Sequence, residues 1–238
     1  MRKNNRLLDS FGVVFDIGDT LIPIDELRFR AVSRILVGAS EPQKADIVSR
    51  LFSEFDKAAD QRRYNNFLFG LPGKAFEASI ARNLGKDQVA ALVFGSRYRQ
   101  EIRNLLKPDR RTIATLNGLR RKGMKIGILS DGTVEEMADT IRLLGIANYC
   151  TAVGISEALR AVKPESKAFK WMSESLEIPA HRLVMVGDDL TADIRGALSA
   201  GWKAIWVDGK HEAAPTGVPC LARSRFGRIP TLVEGLLA

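Results

Sequence analysis

Cysteine and histidine are nearly absent from this 238-residue chain, which has two of each: Cys150 and Cys220, His181 and His211. A four-cysteine or three-histidine zinc site therefore cannot be assembled. A disulfide framework is excluded as well, which fits a reducing compartment. Long apolar runs are missing too. None approaches the roughly 18 residues of a membrane-crossing helix. The start, MRKNNRLLDSF, does not read as a signal peptide, because Asp9 and Asp16 interrupt the apolar stretch, and its first six residues read as a basic arm. The expected setting is the cytoplasm, and any hydrolytic chemistry is expected to run on carboxylates and a hard metal.

What the chain does have is ordinary globular composition, 45% apolar and 27% charged, with a surplus of base that brings the net charge to +8. The basic residues are scattered through Arg62 and Arg63, Lys107 to Arg111, Arg120 to Lys125 and Arg223 to Arg228. No basic stripe alternates with aromatics, so the surplus reads as a solvated surface, mildly attractive to anionic substrates, and not as a nucleic-acid interface.

The hydrophobic pattern changes along the chain. FGVVFD (11–16) is a short apolar run ending in an acid, the pattern of a buried parallel strand. From 24 to 104 the pattern is helical, with helices expected at 28–37, 41–60, 74–83 and 86–107. Most of the Phe and Tyr residues fall here, enough for a small core of its own. After Pro108 strands and helices alternate: helix 110–121, strand 125–130, helix 134–144, strand 149–153, helix 165–176, strand 183–188, helix 191–200, strand 203–208 and a last short helix near 231–237. This alternation predicts an α/β fold with a Rossmann-like, doubly wound parallel sheet. The core is expected at 1–23 and 105–238, with an inserted all-α cap at 24–104.

Three of the strands end in polar residues. The first leads to Asp16, Asp19 and Thr20, the second to Ser130, Asp131 and Thr133, and the third to Asp188, Asp189 and Asp193. Ligands of open α/β sheets bind at the carboxyl ends of strands. Carboxylates gathered in one cleft repel, so they need a cation. Oxygen-only ligation favours Mg²⁺. Lys163, in the loop AVKPES, offers further positive charge. Taken singly, any of these acids is as well explained as a helix N-cap.

Taken together, the motifs resemble the haloacid dehalogenase (HAD) superfamily, in the subgroup with a helical cap between its first two motifs. FDIGDTL (15–21) resembles motif I, KIGILSDGT (125–133) motif II, Lys163–Pro164 motif III and VMVGDDLTADIRGALSAGW (184–202) motif IV, so that the likeness runs from about 11 to 208. The resemblance implies that Asp16 is a nucleophile forming an aspartyl-phosphate. It implies that Mg²⁺ is held by Asp16, the Gly18 carbonyl and Asp188, with Asp193 orienting metal-bound water. Ser130 and Lys163 would bind phosphate oxygens, and backbone amides around Asp19–Thr20 and Asp131–Gly132 would form an anion nest. The implied substrate is a small phosphorylated molecule, and the implied assembly a monomer or homodimer.

Two positions depart from the family pattern. Gly18 stands where relatives carry a second acid, the group that protonates the leaving group. Such a loss costs about 10²–10⁴ in rate. Asp131 stands where relatives often carry Asn, and could be a relocated acid. Three alternatives follow: a degenerate module that binds a phosphorylated ligand or a protein partner without turnover, a phosphonate-cleaving enzyme using a cap lysine (Lys44, Lys57, Lys74 or Lys86), and a dehalogenase. The intact GDDLTAD run (187–193) argues against the last. Arg62, Arg63, Tyr64 and Lys74 are the candidates for specificity in the cap.

Overall fold

The computed structural model describes residues 11–61, 80–82, 84–85, 87–207 and 214–237, without the side chains of 52–61. The basic arm, Arg62, Arg63, Tyr64, Lys74, Lys86, the Lys57 side chain and most of the helix expected at 74–83 lie outside these residues. None of the described helices is long and apolar enough to cross a membrane.

Strand β1 (Gly12–Phe15) is followed by helices α1 (Ile24–Ile35), α2 (Glu41–Gln61) and α3 (Gln88–Leu105). Then come α4 (Arg110–Arg121), β2 (Lys125–Ser130), α5 (Val134–Leu143), β3 (Ala152–Ile155), α6 (Ser166–Leu176), β4 (Leu183–Gly187), β5 (Lys203–Val207), β6 (Cys220–Leu221) and α7 (Ile229–Leu237). All six strands are parallel, in the order β3-β2-β1-β4-β5-β6. This is a Rossmann-like arrangement, and the order reverses at β1. Ligand crevices of such sheets open at that switch point.

Alternation along the strands divides the core in two. Val13 and Phe15 face one layer with Ile126, Ile128, Val184, Val186, Ile205 and Val207, closed by Leu116 and Leu119 of α4, Met137 and Ile141 of α5 and Ile229 and Val233 of α7. Val14, Leu129, Met185, Ala204 and Trp206 face the other, closed by Phe169, Met172 and Leu176 of α6 and by Trp202. Strands buried on both faces must read as continuous apolar runs, and these do. The described insert residues Leu27, Val32, Phe94, Tyr98 and Ile102 belong to the first of these clusters, so their packing is continuous with the sheet face.

Four local differences from the sequence pattern have physical causes. Helix α1 starts at Ile24, not near Arg28, because the Asp19 carboxylate accepts the Ile24 amide (2.9 Å) and so supplies the first turn with an acceptor. The expected strand at 149–153 begins instead at Ala152, and Ala147–Tyr149 is a 3₁₀ turn. The Arg120 guanidinium lies 5.5 Å from the centre of the Tyr149 ring, which occupies that ring outside the sheet. The helix expected at 191–200 opens as a π-helical turn, Leu190–Arg195, before Gly196–Ser199. The two-residue strand β6 has too short a pattern to be read from sequence.

Candidate active site

Because β1 lies between β2 and β4, the three polar strand ends are neighbours. Asp16 follows β1 directly, and its amide donates to Val186 O of β4 (3.0 Å), which ties the start of the loop to the adjacent strand. Ser130 ends β2, and Asp188 follows β4. Lys163 comes from the loop before α6. The geometry at this edge is compact. Lys163 Nζ donates to Asp16 Oδ1 at 2.6 Å and to Asp193 Oδ1 at 2.7 Å. Ser130 Oγ reaches the same Asp16 oxygen at 3.4 Å. Asp16, Ser130, Lys163 and Asp193 are all buried.

Carboxylate oxygens of Asp16, Asp188 and Asp193 lie within 4.8 Å of one another. Three acids so close to one another, with one buried ammonium, leave the site short of positive charge. The ionisation tendencies record this shortage. Burial, then the neighbouring Asp16 and Asp193, push Asp188 up to about 9. Burial raises Asp193 to about 7, with Lys163 pulling the other way. Asp16 is also raised by burial, against the pull of Lys163. Burial alone would lower Lys163, but Asp16, Asp193 and Asp131 hold it well above the ordinary lysine value. A divalent cation with oxygen ligands fits this donor set: it would balance the charge that Lys163 leaves over. The Gly18 carbonyl accepts the Thr20 amide at 2.5 Å, and a carbonyl oxygen has a second lone pair.

Local folding explains how Asp193 reaches the site. Asp189 Oδ1 accepts the amides of Thr191 and Ala192, both at 2.7 Å, so Asp189 is the N-cap. The Ile194 amide bonds back five residues to Asp189 O (3.1 Å), and this wide turn presents Asp193 to Lys163. The Asp189 amide in turn donates to Asp193 Oδ2 (3.1 Å). Gly187 is required here, since a Cβ at that position would collide with the Asp193 carboxylate.

The remaining sequence candidates divide. Thr20 is fully buried and its hydroxyl donates to Asp188 Oδ1 (3.2 Å). Asp19 sits at φ 45° with its carboxylate on the Ile24 amide at the start of α1, and its charge still reaches Asp188. Asp131 Oδ1 accepts the backbone amide of Lys163 (3.1 Å). The Gly132 amide donates to Ser156 Oγ (2.9 Å) and so already has an acceptor. Sequence reasoning missed the braces: Arg223 donates to the carbonyls of Thr20 (3.1 Å) and Leu21, and Trp206 Nε1 to Asp188 O (2.8 Å). These bonds end on backbone oxygens, which have no sequence signature.

Comparison with known proteins identifies the family of the chain. The sequence profile of the haloacid dehalogenase-like hydrolases matches residues 35–207. A glyceraldehyde 3-phosphate phosphatase of Methanopyrus kandleri is 28% identical over 207 residues, spanning 84% of this chain and 85% of that protein. The crystal structure of a HAD phosphatase from Thermococcus onnurineus superposes with a TM-score of 0.60 at 25% identity, over 94% of this chain and 98% of the other. That of L-2-haloacid dehalogenase from Xanthobacter autotrophicus gives 0.70 at 19% identity over 94% and 98%, a likeness of fold alone. The chain belongs to the haloacid dehalogenase-like hydrolases and is a hydrolase of that superfamily.

Proposed function

We propose that this hydrolase is a Mg²⁺-dependent phosphatase that removes phosphate from a small phosphorylated molecule through Asp16. The observation that carries the proposal is the convergence of Asp16, Ser130, Lys163, Asp188 and Asp193 at one sheet edge, with three acids within 4.8 Å and a single ammonium among them. The named activity of the Methanopyrus relative supports the same substrate class. In this reading the insert at about 24–104 is a cap over the site.

Asp16, Asp188 and the Gly18 carbonyl would hold the ion, with Asp193 behind them. When bound, the ion supplies charge for the phosphoryl oxygens and removes the repulsion among the acids. The Asp16 carboxylate then attacks phosphorus: an Asp16 oxygen–phosphorus bond forms and the bond to the leaving oxygen breaks, with its electron pair departing on the leaving group. Ser130 and Lys163 face Asp16 and would bind the phosphoryl oxygens. Water cleaves the aspartyl-phosphate and releases inorganic phosphate, returning the carboxylate. Gly18 supplies no acid, Asp19 is engaged by the Ile24 amide and Asp131 by the Lys163 amide. The enzyme should therefore be slow on alkyl phosphates and faster on acyl phosphates, whose carboxylate leaving group needs no proton.

The test is hydrolysis of phosphate monoesters and acyl phosphates with and without Mg²⁺, using Asp16→Asn as the blank. Metal-dependent turnover that is lost in the variant, with a bias toward acyl phosphates, is expected. A folded protein with no turnover above the blank would sink the proposal. Gly18 would then favour the second reading, a module that binds a phosphorylated ligand without hydrolysing it.

A further inference from the structure

We infer that the Asp131 side chain is a positioning residue for Lys163, holding its backbone so that the ammonium stands between Asp16 and Asp193. The inference concerns the same site and rests on the proposed phosphatase reading only for its kinetic readout.

The observation is a contact between two loops 32 residues apart. Asp131 Oδ1 accepts the Lys163 amide at 3.1 Å, while Lys163 Nζ reaches Asp16 at 2.6 Å and Asp193 at 2.7 Å. Lys163 thus meets two acids at its tip, and its backbone amide is held by a third carboxylate. This contact belongs to a small lattice. The Gly132 amide donates to Ser156 Oγ (2.9 Å), the Val134 amide to Glu157 Oε2 (2.7 Å) and the Glu157 amide to Gly132 O (3.3 Å). Those three bonds fasten the loop after β2 to the turn after β3, so the loop carrying Asp131 is itself fixed. Asp131 extends the fastening to the Lys163 loop.

The chemistry argues for positioning over proton transfer. A lysine has a long, flexible stem, and a point charge between two acids is useful only if its base does not wander. A carboxylate oxygen on a backbone N–H makes a charge-assisted bond, stronger than one between neutral groups. An Asn at the same place keeps an acceptor oxygen but cannot donate or take up a proton as a carboxyl does. The two roles therefore separate cleanly by substitution.

The experiment uses the full chain and three variants, Asp131→Asn, Asp131→Ala and Asp131→Ser. Ser is the second loss variant should Ala not fold. Each receives a crystal structure and a kcat and KM for p-nitrophenyl phosphate with Mg²⁺ across pH. Expected is a displaced Lys163 in the Ala or Ser protein with kcat lowered by about 10²-fold, the usual consequence of misplacing a reacting group by an ångström. The Asn protein should keep Lys163 in place, recover kcat to within about 3-fold of the parent and keep its pH profile. Lys163 undisturbed in both loss variants overturns the inference. So does an Asn protein as slow as the Ala protein with Lys163 in place and one limb of the pH profile missing, which would make Asp131 the acid. A parent without turnover sinks the phosphatase reading, and the crystal structures still decide the placement.

Discussion

Charged groups are arranged in opposite ways at the carboxyl edge of the sheet and on the helices between β1 and β2. At the edge they are buried and share partners: Lys163 joins Asp16 and Asp193, with side-chain exposures of 4%, 9% and 1%. On the insert the pairs lie closer to water: Arg30–Glu26 joins residues within one turn of α1 (3.4 Å, side chains half-exposed or more), and Arg34–Glu101 joins α1 to α3 (3.0 Å). Water screens the second kind and leaves the first to neutralise itself. The edge therefore acts as one unit whose members cannot be removed singly. On the insert a pair such as Arg30–Glu26 shares neither of its members with the Lys163 set.

Lys163→Ala should break this contrast most severely. It leaves two buried acids without their ammonium, and removing one partner of a buried pair costs about 3–5 kcal/mol. Urea unfolding measures the loss. Since the structural need is for positive charge, Mg²⁺ should narrow the gap between variant and parent. A gap that does not change with Mg²⁺ would mean the acids do not share a cation. Gly187→Ala comes next. It changes no charge but drives Asp193 from its place, so it should lower kcat by about 10²-fold with a smaller loss of stability. Parent-like kinetics would show that the turn at 190–195 relaxes without consequence.

Glu136 lies between the two regimes and sharpens the comparison. It is half-buried in the first turn of α5, where Thr133 Oγ1 donates to its Oε2 (3.1 Å) and accepts its amide (3.2 Å). Burial first, then Glu135 and Glu157, raise it from 4.5 to about 7, against the Thr133 hydrogen bond and Arg99. The folded state thus holds the proton more tightly than the unfolded chain does. Its contribution is full below about pH 4.5 and is lost as pH rises toward 7. Glu136→Gln keeps a side-chain amide for Thr133 and cannot ionise. The variant should gain on the parent in urea midpoint between pH 5 and pH 7.5, by less than the Lys163 effect. A difference between the two proteins that stays constant with pH would show that Glu136 titrates normally.

The same division explains what the sequence made legible. Asp16, Ser130, Asp188 and Asp193 stand at or just beyond the ends of apolar runs, where each alone reads equally well as a cap; the resemblance of the four motifs to the family joined them and Lys163 into one site. Asp19 and Asp189 have the same residue type in the same loops, yet one serves α1 and the other caps its own turn. Direction of a side chain within a loop is set by backbone angles, such as φ 45° at Asp19, that residue type does not encode. Tyr149 misled for a related reason: its β-forming character gave way to a cationic partner on α4. Arg223 looked like one more surface base, since nothing in its neighbourhood announces that its acceptors are the carbonyls of Thr20 and Leu21, some two hundred residues earlier.

The smallest effect is expected on the insert, and it tests the comparison from its other side. Glu26 precedes Arg30 by one turn, the favourable orientation for a helix pair, and both side chains are largely in water. Holding two long side chains in register costs entropy, and salt screens what attraction remains. Arg30→Ala should therefore lower stability by about 0.3–0.5 kcal/mol, shrink further in 0.5 M salt and leave kcat untouched. Salt should weaken the pair on α1 and leave the Lys163 set nearly unaffected, because a monovalent salt screens a buried pair far less than an exposed one. If salt changed the Arg30→Ala and Lys163→Ala losses alike, the two regions would be obeying the same electrostatics, and the edge would have to be far wetter than its burial indicates.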